Sequence, residues 1–190
     1  MPAWKGAVAK GFTPDAFDAY VRQLTFGLWR PEFVVLHNTS VPRLADWHKV
    51  SGPARMRGFV GYYRDEQHWS AGPHLFVADD SIWVFTPLTT SGIHAPSWNA
   101  VSWGVEMVGD YNAEELGEAV LGNTIAALAT LHDVGELDPS SLRLHKEDPL
   151  TTHKGCPGGR VQKEDVIGRV QSALQHQFAG DHLVDRLAPG

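Results

Sequence analysis

The 190-residue sequence holds a single cysteine, Cys156, and so cannot build an internal disulfide framework. The fold must rest on core packing, and on a metal if one is bound, and the lone thiol suits a reducing compartment. Lys and Arg are also few, 16 against 22 Asp and Glu, for a formal net charge of −6. No cluster of basic residues offsets that balance, which argues against nucleic acid as a partner because phosphate binding needs grouped cations. No apolar run approaches the roughly 18 residues of a membrane-crossing helix, so no membrane insertion is expected. The opening stretch Met1 to Lys10 lacks the basic start and apolar segment of a secretory signal, which predicts a chain made and kept soluble in the cytoplasm. Internal repeats and low-complexity segments are absent as well.

What is present is the composition of one soluble globular domain, with 43% hydrophobic and 20% charged residues. Thr13-Pro14-Asp15 reads as an N-cap with proline at the first helical position, and Phe17, Tyr20, Val21 and Leu24 then recur at helical spacing. Phe33 to Leu36 is a continuous apolar run that suits a strand buried on both faces, leaving His37 where that strand exits the core. A helix is expected around 55–67, weakened by Gly58 and Gly61. Strands are expected at 75–78 and 82–85, joined through Asp79-Asp80-Ser81. Alternation over 101–108 puts Val101, Trp103, Val105 and Met107 on one face and Ser102, Gly104 and Glu106 on the other. Asn112 to Glu115 resembles a capping box opening a long helix that stops near Gly135, and a last amphipathic helix covers 166–178. Strands interleaved with helices give an α/β or α+β layered domain. Its expected divisions are a helical extension at 1–30, a catalytic domain at 31–178 and a tail at 179–190. Trp69, Trp83 and Trp103 are expected in the core, as is His132 on its helix stripe.

The ten histidines matter by position rather than number. The segment from His145 to Gly158 gathers two imidazoles, His145 and His153, and the only thiol within twelve positions. Imidazole nitrogen and thiolate sulfur are the preferred ligands of zinc, and a catalytic zinc keeps three protein ligands and one open position. The same stretch also reads as a polar loop with an incidental buried cysteine, and spacing by itself leaves both readings open.

Four segments in order add a resemblance. Thr152-His153-Lys154-Gly155-Cys156-Pro157-Gly158 resembles the terminal K-x-C-P-G signature of the N-acetylmuramoyl-L-alanine amidases, a family that includes phage amidase endolysins and peptidoglycan-recognition proteins. Val35 to Ser40 resembles that family's first metal-ligand strand. Gly92-Ile93-His94-Ala95-Pro96-Ser97-Trp98-Asn99 and Ser102-Trp103-Gly104-Val105-Glu106 resemble its H-A…N…S-x-G-[IV]-E block. The resemblance spans about residues 33 to 175 and implies an α/β single domain with a central mixed β-sheet flanked by helices.

It further implies one Zn²⁺ per chain held by His37, His145 and Cys156, with His145 favoured over His153 because Arg143-Leu144-His145 matches the family's R-x-H strand end. Glu106 is then the catalytic carboxylate and Lys154 the catalytic lysine. His74, His94, Trp98 and Asn99 are the implied substrate-binding residues. The implied substrate is peptidoglycan or a muropeptide, cut by a monomer at the amide between N-acetylmuramic acid and L-alanine. The single domain and Cys-Pro-Gly ending suit a phage- or prophage-type lytic enzyme released onto the wall, with a cytoplasmic recycling amidase or a non-catalytic binding module as alternatives. The chain departs from the pattern at Pro73, where some members carry a tyrosine, so proton transfer is expected to fall on Glu106.

Overall fold

A computed structural model describes the backbone of residues 3–185 and the side chains of residues 3–176. The elements in chain order are β1 (Lys10–Phe12), α1 (Pro14–Arg22), β2 (Phe33–Asn38), α2 (Leu44–Trp47), α3 (Gly52–Val60), β3 (Leu75–Val77), β4 (Ile82–Val84), β5 (Ser102–Met107), α4 (Glu118–Val134), β6 (Arg143–Leu144) and α5 (Lys163–Asp185). The strands form one mixed sheet in the order β1-β4-β3-β5-β2-β6. β3, β5, β2 and β6 run parallel to one another, while β4 is antiparallel to both β3 and β1. This is the single α/β domain with a central mixed sheet that the sequence implied.

Period-two alternation decides which layer each strand residue enters. Val34 and Leu36 of β2, Leu75 and Val77 of β3, and Trp103, Val105 and Met107 of β5 pack into the main core with Phe17, Val21, Leu128 and Val170 of α1, α4 and α5. The opposite face is covered in two patches. Phe76 meets Trp47 and Met56 of α2 and α3, and Phe33 and Val35 meet Ala95 and the partly buried Trp98. Between the patches the sheet carries polar side chains. No described helix is long and apolar enough to cross a membrane.

Several boundaries differ from the sequence reading for local reasons. Residues 1–30 are not only helical, because Lys10–Phe12 pairs with β4 as an edge strand. The helix expected across 55–67 starts at Gly52 and turns into a π-helical segment at Gly61–Glu66. The long helix begins at Glu118 rather than Asn112, because Glu114 accepts from the Asp110 backbone N–H at 2.7 Å and closes a separate turn. The final helix runs on to Asp185, past the predicted start of the tail, of which residues 186–190 lie outside the described residues. Trp103 and His132 are buried as expected. Trp69 is instead 37% exposed, stacked on Tyr63 at 5.5 Å between ring centroids.

Candidate metal and catalytic site

The site lies at the carboxyl ends of β2, β5 and β6, where parallel strands of an α/β sheet expose their outgoing residues. β2 and β5 align His37 with Glu106, and the same parity puts both on the face opposite the main core. The next parallel strand, β6, ends at Leu144 and delivers His145. Cys156 arrives from the following loop, where the Lys146 N–H donates to its carbonyl at 2.9 Å and the Asn38 N–H donates to its Sγ at 3.4 Å.

One donor atom from each of His37, His145 and Cys156 lies within 4.8 Å of the others. The His37 and His145 rings stand 4.3 Å apart between centroids. Two imidazoles and a thiol in that proximity are the donor chemistry of a three-ligand zinc site. Burial, followed by the charges of His94, His145 and His153, pushes His37 well below the usual imidazole range. Burial likewise lowers His145 to about 4, so both rings are neutral at pH 7 with lone pairs available to a cation. The Cys156 thiol is pushed far up by burial and by Glu106, an environment that a cation reverses by favouring the thiolate. His48, Asp79 and Asp80 form a second group of potential ligands among the described residues, but His48 Nε2 is already hydrogen-bonded to Asp79 at 2.7 Å on the surface.

Glu106 Oε1 lies 3.8 Å from His37 Nδ1, while its Oε2 is buried without a hydrogen-bond partner. Burial raises this carboxyl to about 8. An orphan carboxylate oxygen beside a group of potential ligands is costly for stability and is suited to accepting a proton. The cavity in front of it measures about 690 Å³ and is lined by His37, Glu106, His145, His153, Cys156 and, on the α3 side, Arg55, Phe59, Tyr62 and Tyr63.

The other sequence-derived residues fall elsewhere. His153 lines the cavity, 5.6 Å from the His145 ring, but stands outside the donor triad. Lys154 is not on the cavity wall, since its Nζ is tied back to the Asp148 carbonyl at 3.2 Å. Nor are His74, His94, Trp98 and Asn99. His74 is fully buried, with Nδ1 accepting from Gly104 N–H at 2.9 Å and Nε2 against the Thr90 carbonyl at 2.9 Å. His94 is also buried and bonds to His37 at 3.1 Å. Asn99 Oδ1 accepts from the backbone N–H groups of His94 and Ala95 at 2.7 and 2.8 Å. Trp98 sits edge-on to Phe33 beneath the Arg143 guanidinium.

Sequence reasoning missed Tyr63. It comes from the π-helical turn after α3, an element distant from Pro73, yet it lines the same cavity. Its phenol is pushed well above the ordinary value by burial and then by the Glu106 charge, which places the two groups in one electrostatic environment. It falls within the π-helical segment, and no sequence motif singles it out.

The arrangement defines a class first: a mixed-sheet α/β domain with a His-His-Cys triad and a carboxylate at the strand ends. The profile of the N-acetylmuramoyl-L-alanine amidases matches residues 28–159, and the chain belongs to that family. Peptidoglycan-recognition protein 1 of Holotrichia diomphalia is 24% identical over 135 residues, which make up 70% of this chain and 66% of that protein. Among solved structures, N-acetylmuramoyl-L-alanine amidase LysC from Clostridium intestinale is 19% identical with a TM-score of 0.62, over 90% of this chain and 94% of that one. A Drosophila PGRP-LB mutant in complex with tracheal cytotoxin is 22% identical with a TM-score of 0.62, over 86% of both chains. These neighbours share the fold.

Proposed function

We propose that this chain is a zinc-dependent hydrolase that cuts the amide between the lactyl group of N-acetylmuramic acid and L-alanine in peptidoglycan. The observation carrying this reading is the convergence of His37, His145 and Cys156 within 4.8 Å, beside the unpartnered Glu106 carboxylate in an open cavity. Family membership supplies the bond, and the tracheal cytotoxin held by the PGRP-LB relative supports a muropeptide in the cleft. The intact Cys156 favours catalysis over binding alone.

His37, His145 and Cys156 would hold the zinc, and two neutral imidazoles with one thiolate leave the site a net positive charge. When bound there, zinc supplies the charge that activates water and polarises the scissile carbonyl. Glu106 takes the proton of the attacking water and hands it to the departing alanine nitrogen. A carboxyl raised to about 8 can both accept and release a proton near neutrality. Tyr63 adds a hydroxyl donor to the same cavity, and Lys154 reaches the developing oxyanion only by leaving the Asp148 carbonyl. The products are a muramoyl carboxylate and a free stem peptide.

We read the substrate as polymeric wall, supported by a cleft open to solvent and rimmed by the exposed Val41 and Tyr62. Mass analysis of purified peptidoglycan treated with the zinc-loaded protein tests the proposal. Stem peptides with a free L-alanine amino group support it, and a cut elsewhere or none overturns it. A soluble anhydro-muropeptide cleaved much faster than wall would make the chain a recycling amidase instead.

A further inference from the structure

The buried histidine beside the triad has hydrogen-bond partners that point to one tautomer. His94 Nε2 lies 3.4 Å from the Ser102 carbonyl oxygen, and its Nδ1 lies 3.1 Å from His37 Nε2. A carbonyl can only accept, so His94 Nε2 carries the hydrogen and His94 Nδ1 presents a lone pair. His37 Nε2 must then donate to that lone pair, and the free lone pair of His37 sits on Nδ1, the nitrogen 3.8 Å from Glu106. From these contacts we infer that His94 is a positioning residue that sets the tautomer and ring orientation of His37 for metal binding. This inference rests on reading His37 as a metal ligand.

The surroundings are built to hold His94 there. Gly104 on β5 leaves the space its ring fills, since a Cβ at that position would stand 2.4 Å from His94 Cγ. Asn99 clamps the backbone of the same loop through the N–H groups of His94 and Ala95. The His37 and His94 rings stand nearly perpendicular, at 86°, and the contact between them is nitrogen to nitrogen at 3.1 Å. The partner of His37 is thus another imidazole, used as an acceptor. Groups that accept from the outer nitrogen of a metal-bound histidine typically change metal affinity about 10–100-fold when removed.

Nitrogen-15 NMR of the metal-free protein at neutral pH reads the tautomers directly. Protons on His37 Nε2 and His94 Nε2 are expected, and a proton on His37 Nδ1 overturns the inference. Because no metal is present, this result is independent of whether zinc binds. In a chelator competition, His94→Phe should weaken zinc binding about 10–100-fold, and His94→Asn, which keeps an acceptor near Nδ1, should recover part of the loss. If His94→Phe does not fold, His94→Asn decides: the native His37 tautomer supports the relay and the other tautomer refutes it. Wild-type zinc affinity in a folded His94→Phe would show that His94 merely fills space. A native tautomer pattern in a protein that never binds zinc would leave the relay standing and remove the metal reading.

Discussion

His37 and Glu106 are register partners on adjacent parallel strands, and their side chains meet with Nδ1 3.8 Å from Oε1 on the same face of the sheet. The proposed metal ligand and the proposed proton acceptor are therefore both carried by sheet strands rather than by loops. Glu106→Gln preserves shape and removes the proton-accepting oxygen. Zinc content and the circular dichroism spectrum should be unchanged while hydrolysis falls by about 10² to 10⁴. A variant that loses its zinc would make Glu106 a ligand, and one with normal turnover would leave it a mere strand-surface carboxylate.

The triad and its neighbour His153 should respond differently to truncation. His145→Ala and Cys156→Ser each remove a proposed ligand and should lower zinc affinity by more than the roughly 10–100-fold lost with an outer hydrogen-bond partner. His153→Ala should retain nearly stoichiometric zinc, because His153 stands outside the donor group. Metal analysis after dialysis against a graded chelator series distinguishes these cases, and the reverse order would exchange the roles of His145 and His153.

Acid should destabilise the metal-free protein through its buried imidazoles. Burial lowers His74 to about 4, His94 to about 3 and His145 to about 4. In the unfolded chain these groups titrate near about 6.5, so between that pH and about 4 the unfolded state binds more protons. Stability contributed by the neutral rings is complete above the unfolded value and is lost as pH falls through the window. Glu106, raised to about 8, holds an extra proton in the folded state and offsets one of these rings, but the three together outweigh it. The urea midpoint should therefore drop between about pH 6 and pH 4, and a flat profile would mean that the rings are already accessible to water.

Gly104→Ala tests the close approach behind the site. Its new methyl group would meet the His94 ring at 2.4 Å, with both the sheet and the Asn99-clamped loop resisting movement. Overpacking of this kind typically costs about 1–3 kcal/mol. Thermal unfolding should show that loss together with weaker zinc binding, whereas unchanged stability and affinity would mean that His94 relaxes freely.

How much of this was legible in the sequence depended on whether the information was local. The Phe33 to Leu36 run and the alternation through Glu106 encode strands directly, and the parity of β5 correctly set Glu106 apart from Trp103 and Val105. The likeness in four motifs was enough to collect His37, His145 and Cys156, which come from two strand ends and a loop. Residues whose roles depend on layering were harder. His74 and His94 sit in motifs next to the site in sequence, yet neither lines the cavity, and their ring nitrogens face backbone groups and His37. The edge strand Lys10–Phe12 gave no signal because only three residues pair, and Tyr63 reaches the cavity through a helical irregularity.

X-ray absorption at the zinc edge of the purified, zinc-loaded protein tests the central claim most directly. The account predicts one zinc per chain with two nitrogen ligands at about 2.0–2.1 Å, one sulfur at about 2.3 Å and one further light-atom position open to exchange. Because Cys156 is the only cysteine, that single sulfur identifies the site without ambiguity. A coordination shell with no sulfur, or a protein that refuses stoichiometric zinc while fully folded, would contradict it.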